Sequence, residues 1–288
     1  MKFYGTGAAE GIPNPFCGCY LCEYARKHGG KDVRTRSMFR LTPNICIDMG
    51  PDALMQSMLY GDLKEVEHVL ITHTHEDHFA YHMMEVRDMA TDRKAGPMHY
   101  YFTGDGYQMI KRFEDSDYIS SGHFKRLEDR GVIECHQLDY GKTYMIGGVE
   151  VTPLKGNHFG NMKENAANYL MKLADGRVVY YGCDTGPYLD ETFEALKHAK
   201  IDILISECTY GGGEDSYPNP GHLSHTACVK VFKQLLAQGT IDSHTKVYLT
   251  HINHCHTADH ETLQKLFDES GLPMQCTVAY DGLEIIYF

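Results

Sequence analysis

Apolar residues along the chain fall into short runs that suit buried strands, at 45–47, 69–71, 178–181, 201–205 and 246–249. The aromatic tract 99–102 reads as a further core strand. Between these runs the spacing turns helical. One helix is predicted around 83–90. Another is predicted over 226–237, with Val229, Phe232, Leu235 and Leu236 on one face. Residues 107–124 read as an amphipathic helix with a loop. The last stretch, 275–288, predicts a hairpin turning at Asp281-Gly282. Strands alternate with helices, and no linker, low-complexity tract or short repeat interrupts them. The pattern therefore predicts one α/β domain over 1–288. Folds of this class place their sites where strands end, because a rigid strand holds a loop that stays open to ligand.

The polar residues become informative at the end of run 69–71. There the sequence continues Thr72-His73-Thr74-His75-Glu76-Asp77-His78. Imidazole and carboxylate together suit Zn, Mn or Fe. If the segment is extended, His73 and His75 point the same way. Asp77 and His78 then lie at the following turn, aimed at a second position. The spacing thus predicts two metal ions close together.

The motif resembles the HxHxDH signature of the metallo-β-lactamase superfamily, whose fold is a four-layer αββα sandwich. The other residues of that pattern follow in order: His158, Asp184 after run 178–181, and His251 after run 246–249. The resemblance implies that His73, His75 and His158 hold one metal, and that Asp77, His78 and His251 hold the other. Asp184 would bridge the two. Asp48, ending run 45–47, matches a strand-end Asp that supports the site without binding metal. The implied nucleophile is a hydroxide between the ions, oriented by Asp77.

A second metal signature lies near the N-terminus. Cys17, Cys19 and Cys22 place three thiols in six residues. A redox pair would leave one thiol over, whereas tetrahedral zinc needs only one more ligand. His254, three residues after His251, is the expected fourth. Cys255 and His256 are read as loop residues. This combination, with the opening 5–13, resembles the PhnP-type cyclic phosphodiesterases and the related PqqB proteins. The segment Gly221-His222-Leu223-Ser224 resembles the PhnP-type GH(L/M)S segment, whose histidine contacts phosphate and assists the leaving group. His222 matches that histidine, and His225 is the reserve candidate. Residues 210–214, Tyr-Gly-Gly-Gly-Glu, follow Glu207 and read as a glycine-rich connection.

Composition narrows the reading further. The 288 residues are 42% hydrophobic and 23% charged, ordinary for a chain with a packed core. Ten cysteines over this length do not make a disulfide scaffold. A net charge of −12 opposes a long nucleic-acid surface, and no basic arm for gripping tRNA is apparent. No apolar run reaches the roughly 18–20 residues of a membrane span, and the N-terminus lacks a signal-peptide core. The expectation is a cytoplasmic hydrolase acting on a small phosphodiester with two active-site divalent ions and one structural zinc. No stable nucleic-acid partner or membrane association is expected. The resemblance leaves a homodimer open. The rivals are a tRNA 3′-processing-like nuclease, a lactone or thioester hydrolase, and a PqqB-like protein without hydrolytic chemistry.

Overall fold

The structure, a computed structural model, describes residues 1–93, 96–114, 123–212, 221–255 and 257–286. Among them, six strands form one sheet in the order β1 (Lys2–Gly5), β2 (Met38–Thr42), β3 (Ile45–Ile47), β4 (His68–Leu70), β5 (Met98–Thr103) and β6 (Ile133–Leu138). Seven form a second: β7 (Tyr144–Ile146), β8 (Val149–Phe159), β9 (Asn165–Lys172), β10 (Val178–Gly182), β11 (Ile203–Glu207), β12 (Lys246–Thr250) and β13 (Cys276–Val278). These seven lie side by side in chain order.

Side chains alternate across a strand, so each central strand feeds two apolar layers. Ile45, Ile47, Leu70, Val179, Tyr181, Ile203 and Ile205 share the layer between the sheets. Their neighbours Cys46 and Val69 face a layer built with α2 (Ala53–Tyr60), α3 (His82–Asp88), α4 (Gly104–Glu114) and α5 (His123–Asp129). Tyr180 and Leu204 face the opposite way. They pack with α1 (Tyr20–His28), α6 (Asp190–Leu196), α7 (His225–Ala237) and α8 (His260–Asp268). The result is helix, sheet, sheet, helix, the expected four-layer αββα sandwich. No helix among the described residues is long and apolar enough to cross a membrane.

Two local expectations need correction. The buried face of α7 consists of Cys228, Val231, Phe232 and Leu235, while Val229 and Leu236 are only partly buried. Cys228 packs as a small apolar residue, which turns the buried stripe by one position. The stretch 275–286 is not a hairpin. Its first arm, β13, pairs parallel to β12, and after the turn Glu284 pairs with Lys2 of β1. The Asp281-Gly282 turn therefore carries the chain from one sheet to the other. Residues 287–288, 213–214, 115–122 and His256 lie outside the described residues. The reading of 107–124 can thus be followed only into α4 and the start of α5.

β3, β4, β5 and β6 run parallel, as do β10, β11, β12 and β13. Their C-terminal ends therefore gather at one rim. Asp48, the 72–78 segment, Asp184, Glu207 and His251 all lie at those ends.

Candidate metal centre

Each strand end turns sharply at the rim. Asp48, Asp184 and His251 have φ of 60°, 54° and 57°. Left-handed backbone is unfavourable for residues other than glycine, and such outliers concentrate at functional sites. The turns aim these side chains into the rim instead of along the strands.

Two donor clusters result. His73, His75, His158 and Asp184 form one, and Asp77, His78, Asp184 and His251 form the other, each with ligand atoms within 4.8 Å of one another. Asp184 is common to both. Its Oδ2 lies 3.3 Å from His73 Nε2 and 3.4 Å from both His78 Nε2 and His158 Nε2. His251 Nε2 is 3.7 Å away. Asp77 Oδ2 sits 3.1 Å from His78 Nε2 and 3.6 Å from His251 Nε2.

Hydrogen bonds behind the rings aim the free nitrogens inward. Asp48 Oδ2 is 2.6 Å from His78 Nδ1. The same carboxylate accepts from the Thr72 hydroxyl, which lies 3.1 Å from His73 Nδ1. His251 Nδ1 is 2.9 Å from the Thr209 hydroxyl, which in turn donates to Glu207. His158 Nδ1 faces the Gly221 carbonyl at 3.2 Å. A proton on each Nδ1 leaves the Nε2 lone pair free for a cation, as metal-ligating histidines require. Burial together with neighbouring imidazoles pushes His73 down to about 3 and lowers His75, which keeps both rings in the neutral, ligating form.

The cluster also carries polar atoms that the protein leaves unsatisfied. His78 Nε2 and His251 Nε2 are buried without a hydrogen-bond partner. Buried polar groups are rarely orphaned, because desolvation without a partner is costly. A divalent cation in the second cluster would satisfy them, and the neutral imidazoles and shared carboxylate of the first offer the same donor chemistry, so the residues present fit two metal ions.

His222 stands beside these clusters. Its Nδ1 lies 2.8 Å from Asp184 Oδ1 and 3.3 Å from Glu207 Oε2. Glu207 is fully buried and accepts from the backbone N–H groups of Thr185, Gly186 and Leu223. Burial opposes charge on His222, but Asp184 and Glu207 outweigh it and raise the ring to about 11. His225 is placed differently. Its Nε2 meets the Leu266 carbonyl at 3.0 Å and its ring packs edge-on against Phe267. The cavity between the clusters measures about 210 Å³. Ala8, Ala9 and Glu10 of the N-terminal segment line it together with His75, Tyr210 and His222.

On the outer side of that segment, Cys17, Cys19, Cys22 and His254 bring their ligand atoms within 4.8 Å of one another. Cys19 Sγ is 3.5 Å from His254 Nδ1. Burial works against a thiolate at Cys19, yet the Cys22 backbone N–H and His254 bring it down to about 6. Cys255 is exposed, with its sulfur 3.6 Å from His254 Nδ1.

A family model described as a beta-lactamase superfamily domain matches residues 43–252. The chain belongs to the metallo-β-lactamase superfamily. It shares the fold of a diphosphatase from the PhnP family, with a TM-score of 0.73 at 21% identity over 99% of this chain and 96% of that one. Zn(2+)-bound PqqB from Methylobacterium extorquens superposes with a TM-score of 0.72 at 16% identity, covering 98% of both chains. Among curated proteins, an octanoyltransferase from Porphyromonas gingivalis is 33% identical over 78 residues, 26% of this chain and 15% of that protein. The chain thus matches less than a sixth of that relative's length. Membership implies divalent metal binding, and the two clusters supply donors for it.

Glu207, Thr209 and Thr72 are the contributors that sequence reasoning left without a role. Glu207 ends a strand at the same rim, which is the signal that could have found it.

Proposed function

We propose that the protein is a metal-dependent phosphodiesterase acting on small phosphodiesters, cyclic ones included. Three observations support it: a donor set fitting two divalent ions, a cavity of about 210 Å³, and His222 facing that cavity. The position of His222 carries the reading. Carbonyl hydrolysis on such a scaffold needs only the ions, whereas a proton-bearing imidazole beside them suits a substrate with charged oxygens and a poor leaving group.

In this reading His73, His75 and His158 would hold one ion, and Asp77, His78 and His251 would hold the other. Asp184, common to both clusters, would serve either ion. Bound there, the ions supply an acidified water and neutralise charge on a phosphoryl group. The remaining work belongs to side chains. Asp77 orients the attacking water. Glu207 fixes the His222 ring and keeps a proton on it. His222 contacts a non-bridging oxygen and gives its proton to the leaving oxygen. Cys17, Cys19, Cys22 and His254 would hold a structural zinc, tying the N-terminal wall of the cavity to the loop after β12.

The test is turnover by protein loaded separately with Zn, Mn and Fe. Substrates are bis(p-nitrophenyl) phosphate, a 2′,3′-cyclic nucleotide, a ribose cyclic phosphate, a dinucleoside diphosphate and a lactone. The proposal expects phosphodiester cleavage to exceed lactone cleavage by at least a hundredfold. Absence of phosphodiester turnover with all three metals would overturn it.

A further inference from the structure

Another group of metal-ligating side-chain types lies on the first sheet, away from the rim. His99 of β5 pairs in register with Glu134 of β6, and Tyr101 pairs with His136. Side chains two apart on a strand share a face, so His99, Glu134 and His136 converge. His99 Nδ1 is 2.9 Å from His136 Nε2 and 3.3 Å from Glu134 Oε2. His136 Nε2 is 3.7 Å from the same oxygen.

These separations suit a cation. A point equidistant from the three atoms lies about 1.9 Å from each, and an ion just off their plane reaches the roughly 2.0–2.2 Å bonds of zinc to imidazole and carboxylate. Hydrogen bonding alone serves the trio poorly. Two neutral rings facing each other offer one N–H between them, which serves either the other imidazole or the carboxylate, so one acceptor is left without a donor. A divalent ion attracts all three donors.

The rings are also held in place. His99 stacks on His68, with centroids 5.2 Å apart, and His136 stacks on Tyr101 at 4.8 Å. His68 and Tyr101 are joined in turn, His68 Nδ1 to the Tyr101 hydroxyl at 3.0 Å. Gly147 packs so closely behind His68 that a Cβ there would meet its ring at 2.8 Å. Preorganised ligands lose little freedom on binding. Glu134 is half exposed, which leaves an entry path and open coordination positions for water.

We infer that His99, Glu134 and His136 form a separate binding site for a borderline divalent cation, Zn²⁺ or Ni²⁺, between the start of β5 and the first four residues of β6. The catalytic clusters gather at the opposite, C-terminal ends of the parallel strands. The bound ion clips β6, an edge strand of its sheet, to β5.

The test uses protein saturated with Zn²⁺ and freed of unbound and weakly held ion by gel filtration without chelator, then titrated calorimetrically with more Zn²⁺. Using the same metal makes exchange at the other clusters silent. Wild type takes up one further equivalent and its Tm rises. His136→Gln loses that equivalent, and Glu134→Gln binds it at least tenfold more weakly. Phosphodiester turnover stays unchanged in both. If His136→Gln fails to fold, Glu134→Gln, changed at a half-exposed position, decides alone. No further uptake by wild type, or equal affinity in wild type and Glu134→Gln, overturns the inference.

Discussion

Asp48 and His78 are both fully buried, and their Oδ2 and Nδ1 atoms lie 2.6 Å apart. The carboxylate fixes the tautomer of an imidazole whose other nitrogen faces the candidate metal position. Through Thr72 it steadies His73 as well. Partners of this kind typically contribute ten- to hundredfold in metal affinity. Asp48→Asn should therefore weaken binding of one active-site ion by about that factor while the Cys-cluster zinc stays. Competition with a chromophoric chelator measures it. Unchanged affinity would assign Asp48 to the strand-end turn alone.

His222→Gln should leave the metal content intact and lower phosphodiester turnover by about 10²–10⁴-fold, the usual contribution of a proton-transferring side chain. Substrates with a good leaving group, such as p-nitrophenolate, should lose least, because they need the proton least. His225→Ala should keep turnover within a few-fold, since its ring is engaged with Leu266 and Phe267. The reverse pattern, with His225 the sensitive one, would shift the role along the loop.

Purified protein should carry about three metal ions, one resistant to mild chelation, as a tetrahedral site closed by thiolates predicts. Cys19→Ser should remove the resistant ion and leave the other two. The expected species is a zinc held by Cys17, Cys19, Cys22 and His254. Metal analysis before and after chelation reads the outcome. Two ions in wild type and two in the variant would leave these thiols without a metal role.

The rim was readable in the sequence because its donors follow buried apolar runs at once, as in 69–71 followed by His73, His75, Asp77 and His78. What brings them together is the parallel order of strands that lie far apart in the chain. That order is invisible to local spacing and came from the family pattern. Glu207 shows the limit: alone at a strand end, an acid looks like any solvated terminus. His99 and His136 show it more sharply. They are 37 residues apart, and only the β5–β6 register makes neighbours of them. The turn at Asp281-Gly282 was local and legible. The partners of its two arms were set by tertiary pairing and were not.

Glu164 offers a test of the packing beneath the ligand loop. It is 1% exposed, and its Oε1 accepts the backbone N–H of Thr74, between His73 and His75. Its Oε2 is buried without a partner. Burial raises the carboxyl to about 7, against the pull of the Thr74 contacts. In the unfolded chain the group ionises near the ordinary glutamate value of about 4.3. Between these two values the folded state binds more protons, so stability falls as pH rises through the window. Below it both states are protonated and the cost vanishes. Above about 7 both are ionised and the cost is complete. Glu164→Gln keeps an acceptor for Thr74 and removes the charge. Relative to wild type, the variant should gain about 2–3 kcal/mol between pH 4.5 and pH 7.5, with no further gain above. Urea unfolding of both proteins at matched pH and metal concentration gives the difference directly. A gap that does not change with pH would mean that Glu164 reaches water or a cation that stabilises its charge in the folded protein.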